Sequence, residues 1–209
     1  IDYSYPEDSV ELPGEVKSND LNEEQVKSFS QLIKNSKRPF ILAGHGVIMS
    51  EATSNLMKMC DKAHIPIGTT LLGIGGVPKS NPLVVGWMGM HGDSWVNQAI
   101  QKADLLIACG MRFDDRVTGN LKTYSPNSKK IHIEIDPAEI NKNVKVDLPI
   151  LGDLNEVLSQ VLPHIDREDH SPWFNQINKW KSESSSRDII HQNTDTLMGA
   201  HVIRKIWEG

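Results

Sequence analysis

The sequence is poor in the features that mark secreted, membrane-spanning or nucleic-acid-binding chains. It carries only two cysteines, Cys60 and Cys109, too few for a disulfide framework. One falls in a predicted helix and one in a predicted buried strand, so both read as inert core thiols in a reducing compartment. No apolar run approaches the ~18 residues that span a bilayer. The opening stretch, Ile1 to Glu15, has no basic segment followed by an apolar one, which excludes a signal peptide. It also lacks an initiating Met, which suggests a piece of a longer protein. Lys and Arg number 22 against 27 Asp and Glu, a formal charge of -5, so there is no general basic surface for a nucleic-acid backbone. The eight histidines include no HxxxH spacing, which argues against a metal site. No GxGxxG follows the first predicted strand, which speaks against an ordinary NAD site.

What remains is an α/β pattern. The 209 residues, with a mean hydropathy of -0.37, suit a soluble domain of ~150 residues with extensions, or two small ones. Leu21 to Asn35 is predicted as a helix with Val26, Phe29, Leu32 and Ile33 on one side. Six short apolar segments follow, at 40–43, 64–70, 83–88, 104–109, 130–136 and 148–151, with helical periodicity between most of them. Pro66 is awkward inside a sheet and suggests the start of the second strand. Ser50 is expected to cap a helix reaching Ala63, Asp93 one carrying Val96, Ala99, Ile100 and Ala103, and Asp153 one from Leu154 to Leu162. Strands separated by helices imply crossovers and a parallel sheet, here six strands with helices on both faces, a Rossmann-like architecture. Beyond residue 165 the pattern changes. Trp173, Phe174, Ile177 and Trp180 recur at helical spacing, Ser182 to Ser186 reads as a linker, and Ala200 to Trp207 reads as an amphipathic helix that needs a partner. Trp87, Trp95, Met57 and Met59 are expected in the core or an interface.

Most strand C-terminal ends carry glycine or a polar turn: GHG, TTLLG, GMHG, GMRFDD, EIDP and LGD. In a doubly wound sheet these ends gather along one edge, where ligands bind. Each signal is weak when taken alone. Gly44-His45-Gly46 serves equally as a tight strand-to-helix turn or as a close approach to a diphosphate, and the loop Gly73 to Gly76 has the same ambiguity. His91 suits a hydrogen-bonding wall better than a catalytic base. Arg112, Asp114, Asp115 and Arg116 read either as a surface ion-pair cluster or as guanidinium contacts to phosphate or carboxylate. Asp114 and Asp115 are adjacent and point apart on an extended segment, which excludes a hydrolytic carboxylate pair. Glu134 is either an exposed strand terminus or an acceptor for ribose hydroxyls.

Two of these motifs occur as a pair, GMHG at 89–92 and GMRFDDRVTGN at 110–120. Together they strongly resemble the central domain of acetohydroxyacid synthase (acetolactate synthase), the flavin-containing, thiamine-diphosphate-dependent family. The resemblance runs from about Pro39 to Ile165. It implies residues 1–20 as a linker from a pyrimidine-binding domain, 21–165 as the central cofactor-binding domain, and 166–209 as a linker and the start of a diphosphate domain. It also implies FAD contacts at Gly44, His45, Gly46, Thr70, Leu71, Leu72, Met90, His91, Gly92, Gly110, Arg112, Asp114, Arg116, Val117, Glu134, Ile135, Asp153 and Leu154. His45 departs from the all-glycine form of its turn. Met90, Asp115 and Arg116 would border the substrate channel.

No GDG motif is present, so the resemblance places thiamine diphosphate and Mg²⁺ outside this chain and puts no catalytic residue in it. The parent reaction would join two 2-oxo acids into acetolactate or acetohydroxybutyrate for branched-chain amino-acid synthesis. The parent would be a cytoplasmic or organellar homo-oligomer, in some members with a regulatory subunit, and this stretch alone would be inactive. Pyruvate oxidase or glyoxylate carboligase, and an autonomous nucleotide-binding module, are the alternatives.

Overall fold

The computed structural model describes residues 20–184 and 197–208. Residues 1–19 of the predicted entry linker, and Ser185 and Ser186 of the serine-rich segment, lie outside these residues. The chain runs α1 (Glu23–Asn35), β1 (Pro39–Ala43), α2 (Gly46–Met49), α3 (Thr53–Ala63), β2 (Ile67–Thr69), β3 (Val84–Trp87), α4 (Ser94–Lys102) and β4 (Leu105–Cys109). It continues with α5 (Asp115–Thr118), β5 (Lys129–Glu134), β6 (Leu148–Leu151), α6 (Leu154–Val161), α7 (Ser171–Glu183) and α8 (Gly199–Glu208).

The six strands form one parallel sheet in the order β3-β2-β1-β4-β5-β6. The chain moves outward from β1 through β2 to β3, then returns to place β4 on the other side of β1. That reversal is the topological switch point of a dinucleotide-binding sheet. Register is continuous across it: Ile41 lies opposite Ile67 on one side and Ile107 on the other.

Strand residues alternate between two cores, as the period of two requires. One face carries Ile41, Ala43, Ile107, Cys109, Ile131, Ile133 and Ile150. It is covered by Phe29 and Ile33 of α1, Leu56, Met59 and Cys60 of α3, and Val157, Leu158 and Val161 of α6. The other carries Phe40, Leu42, Leu106 and Ala108 under Trp95, Val96 and Ala99 of α4 and Trp173 and Ile177 of α7. The aromatic tail is therefore not an unpartnered end. Trp173 is buried, and its indole N–H donates to Pro39 O at 3.1 Å.

On the second face α4 and α7 pack over β1 and β4 rather than β5. The inward residues of β5 there are Lys130, His132 and Glu134, all buried, and the β4–β5 connection lies over them. Lys130 Nζ donates to the carbonyls of Ser125 (2.9 Å) and Ser128 (3.0 Å). A loop brings unpaired backbone acceptors into the core, and they require donors. Polar side chains on β5 supply them where an apolar residue would not.

Several local expectations are met and others are revised. Asn22 and Gln25 form a capping box at α1, one residue inside the predicted start. Asp153 caps α6 through the N–H groups of Asn155 and Glu156. Ser50 does not start a long helix. It ends the single-turn α2, with its hydroxyl donating to Gly46 O at 2.6 Å, and α3 begins after Ala52. The second strand is shorter than predicted. His64 takes a left-handed conformation at the end of α3, and pairing begins only after Pro66. The predicted last helix is present as α8, with Ile203 and Ile206 exposed. Among the described residues no helix is long and apolar enough to cross a membrane.

Candidate functional site

All six strands are parallel and end along one edge, and backbone hydrogen bonds continue the pairing past five of them. Gly44 N–H donates to Cys109 O (2.9 Å), Gly46 to Gly110 O (2.9 Å), Gly110 to Ile133 O (2.9 Å), Thr70 to Ala43 O (2.9 Å), Met88 to Thr69 O (2.8 Å) and Gly152 to Glu134 O (3.0 Å). At the switch point the two chain segments are in backbone contact. A Cβ on Gly44 would collide with Gly110 O and Met111 Cβ, and one on Gly46 would lie 2.6 Å from Gly110 Cα. Gly110 itself has φ of +56°. These glycines let the two segments pack backbone to backbone, a glycine shelf at the centre of the edge.

Two cavities flank the shelf. One of about 370 Å³ is lined by Gly46, Gly110, Glu134, Ile135, Asp153 and Leu154, among others, and so unites the right-hand half of the expected cofactor set. Glu134 is buried; its Oε1 accepts the N–H of Ile135 at 2.9 Å. The other, about 240 Å³, brings together Gly89, Met90, Asp115, Arg116 and Val117 with Asn97 and Tyr124. It contains all three residues expected at the substrate channel. Thr70 is buried and caps the turn at Leu71 to Gly73 through its hydroxyl. Leu71 and Leu72 are exposed beside His45, whose Nδ1 lies 3.1 Å from Leu72 O. His91 is exposed and lines neither cavity. A third, more open cleft of about 760 Å³ lies at the opposite end of the sheet, beside Arg38, Lys102 and Trp173. Its size does not make it the better candidate, because it holds none of the expected site residues.

The two sequence motifs interlock. Gly89 has φ of +105°, Met90 N–H donates to Arg116 O at 2.9 Å, and Gly92 N–H closes the turn on Gly89 O. A Cβ on Gly89 would lie 2.7 Å from Arg116 O, so only glycine permits this joint. Asn97 of α4 grips the same residue twice: its Oδ1 accepts Gly89 N–H (3.0 Å) and its Nδ2 donates to Gly89 O (2.9 Å). Asp114 caps α5 through the N–H groups of Arg116 and Val117. Asp93 precedes α4, but its Oδ2 accepts Trp87 N–H at 3.1 Å. That carboxylate occupies the α4 N-terminus, while Arg112 and Arg116 are exposed. Arg116 also lies 3.9 Å from Met90 Sδ.

Behind the Arg112 loop, His132 Nε2 donates to Met111 O at 2.8 Å, and its ring meets Phe113 edge-on at 4.9 Å. Glu134 Oε2 is 3.9 Å away. Burial pushes the imidazole below its ordinary pKa, against the pull of the Met111 carbonyl, Glu134 and Glu139, so the ring is neutral at pH 7. Neither Asn97 nor His132 had a sequence signal. One reads as a polar helix face and the other as an outward position on an alternating strand.

A doubly wound parallel sheet with a glycine shelf at its switch point places the chain among Rossmann-like α/β domains. Its family follows from residues 26–161, which match the thiamine pyrophosphate enzyme central domain; the chain belongs to that family. It is 43% identical over 178 residues to a probable acetolactate synthase large subunit of Methanocaldococcus jannaschii, covering 84% of this chain and 30% of that protein. It is 37% identical over 191 residues to the acetolactate synthase large subunit of Buchnera aphidicola subsp. Schlechtendalia chinensis, covering 88% and 33%. It is 40% identical over 178 residues to an acetolactate synthase of Mycobacterium bovis, covering 85% and 28%. The chain thus spans about a third or less of the length of these relatives.

Proposed function

We propose that this chain is the central domain of an acetolactate synthase large subunit and that its C-terminal sheet edge holds FAD in the intact enzyme. The observation that carries the reading is the joint between GMHG and RFDDR, where Met90 N–H meets Arg116 O beside a glycine shelf at the switch point. The residues fit the cofactor. Gly44, Gly46 and Gly110 pack backbone against backbone at the switch point, which leaves peptide groups and no side chains of their own there, and Arg112 and Arg116 provide exposed cations for the diphosphate. Glu134 and Asp153 line a cavity suited to the ribose and adenine. Each cavity is small for a dinucleotide, so the ligand would lie along the edge, with other parts of the longer protein closing over it. Exposed Met49, Leu71, Leu72, Ile74 and Met90 suit that cover.

FAD would contribute structure here, forming part of the active-site wall without net redox turnover. The electron sink for joining two 2-oxo acids belongs to thiamine diphosphate with Mg²⁺, held by segments other than this one. Met90, Asp115 and Arg116 would border the path of the 2-oxo acid to that centre. The assembly would be a homo-oligomer in the cytoplasm or an organelle, with a regulatory subunit as a further partner.

Calorimetric titration of the full-length protein tests the reading. Saturable binding of FAD, abolished or strongly weakened by Arg112→Ala, supports it, together with acetolactate formation from pyruvate. Binding of NAD in place of FAD overturns it. The 209-residue stretch by itself is expected to form no acetolactate.

A further inference from the structure

The β4–β5 connection carries Arg112 across the edge, and it lies over β5 on the face where α4 and α7 cover β1 and β4. Its backbone is therefore held by side chains. Two of those holds bracket Arg112. His132 Nε2 donates to the carbonyl of Met111 at 2.8 Å, and Asn143 Nδ2 donates to the carbonyl of Phe113 at 2.8 Å. The carbonyls immediately before and after Arg112 are thus both fixed from below, by residues on different elements. The Phe113 ring is fixed as well, edge-on to His132 at 4.9 Å and to Tyr124 at 6.0 Å. Arg112 is exposed, and among the described residues no carboxylate lies within ion-pair distance of it. The arrangement is a rigid base under a free cation.

His132 is fully buried, and among the described residues its Nδ1 has no hydrogen-bond partner. An unpaired buried nitrogen costs free energy. A leucine in its place would have no unpaired group on its own side chain, so packing alone does not account for a histidine. The structural use of the ring is its one donor to the loop.

We infer that His132 and Asn143 are positioning residues for Arg112, fixing the backbone on either side so that its guanidinium is presented to the diphosphate of the bound dinucleotide. The inference rests on the flavin reading above. It assigns a role to two residues that touch no ligand themselves. Preorganising a cation in this way lowers the ordering cost of binding. Losing one such hold removes roughly one hydrogen bond from the bound state, about a fivefold loss of affinity.

The test uses the full-length protein, with FAD affinity read by quenching of flavin fluorescence and the loop read by hydrogen exchange without FAD. His132→Leu and Asn143→Ala are each expected to weaken FAD binding about fivefold and to raise exchange at residues 112–116 while β4 stays protected. His132→Gln keeps a donor at the place of Nε2 and is expected to restore both readouts. In an Arg112→Ala background, His132→Leu should cost little further affinity, because its effect passes through the arginine. Full additivity in the double variant overturns the inference, as does unchanged FAD affinity in both single variants while Arg112→Ala weakens it. Absence of FAD binding by the wild-type protein overturns the flavin reading and this inference with it. Raised loop exchange in that case would leave only a structural hold. His132→Gln and Asn143→Ala keep the test open if His132→Leu does not fold.

Discussion

Gly44→Ala probes the contact on which the whole edge depends. The added Cβ would overlap the carbonyl oxygen of Gly110 and Cβ of Met111 and come within 2.7 Å of Met111 Cα. These are mostly backbone atoms in two pinned segments, so no side chain can swing aside. Overpacking of this kind costs about 1–3 kcal/mol. Separating the segments also weakens the hydrogen bonds Gly44 N–H to Cys109 O and Gly46 N–H to Gly110 O, both 2.9 Å, at about 1 kcal/mol each. The total is about 3–5 kcal/mol, equivalent to a fall in Tm on the order of 10 °C for a domain of this size. Thermal unfolding followed by circular dichroism measures it. Gly199→Ala is the control, since nothing lies near a Cβ there and alanine favours a helix; it should leave Tm unchanged or slightly raised. A Gly44→Ala protein melting within about 2 °C of wild type would refute the claim that the switch point is closed to any side chain.

Trp173→Ala should cost about 3–5 kcal/mol in urea unfolding, because the ring is buried in the second core and bonded to Pro39 O. A cost below about 1 kcal/mol would mean that α7 is not integral to this domain. Stability should fall as pH drops from about 6.5, the ordinary value for an unfolded histidine, through the lower value of buried His132. In that window the unfolded chain binds the extra proton. The contribution has a slope of up to about 1.4 kcal/mol per pH unit, and His132→Gln should remove it from urea midpoints; an unaltered slope would refute the assignment. Cys60 and Cys109 are fully buried. Burial pushes the Cys109 thiol up to about 12 and raises Cys60 well above its usual value. Neither should react with a thiol reagent until the protein unfolds, and rapid labelling of the native state would contradict their placement.

The sequence by itself determined the fold class and the edge at which the glycine and polar turns collect. Apolar segments of strand length, separated by amphipathic helices, leave little choice but a parallel sheet covered on both sides, and glycine or polar turns at strand ends then collect on one edge. The capping residue Asp153, and the inward stripe Val96, Ala99, Ile100 and Ala103, were legible because they depend on neighbours within a few positions. The paired motifs were legible as a family signature.

Tertiary structure alone decided which residues support that edge. Asn97 clamps Gly89 from a different element, and His132 and Asn143 hold the carbonyls beside Arg112. The order β3-β2-β1-β4-β5-β6 also came only from the fold, and with it the contact between Gly44 and Gly110. The alternation in β5 pointed Lys130, His132 and Glu134 outward as if to solvent, whereas the β4–β5 loop covers them. The physical reason is range. Periodicity and capping are local, whereas a buried polar side chain is explained only by the distant backbone group it satisfies.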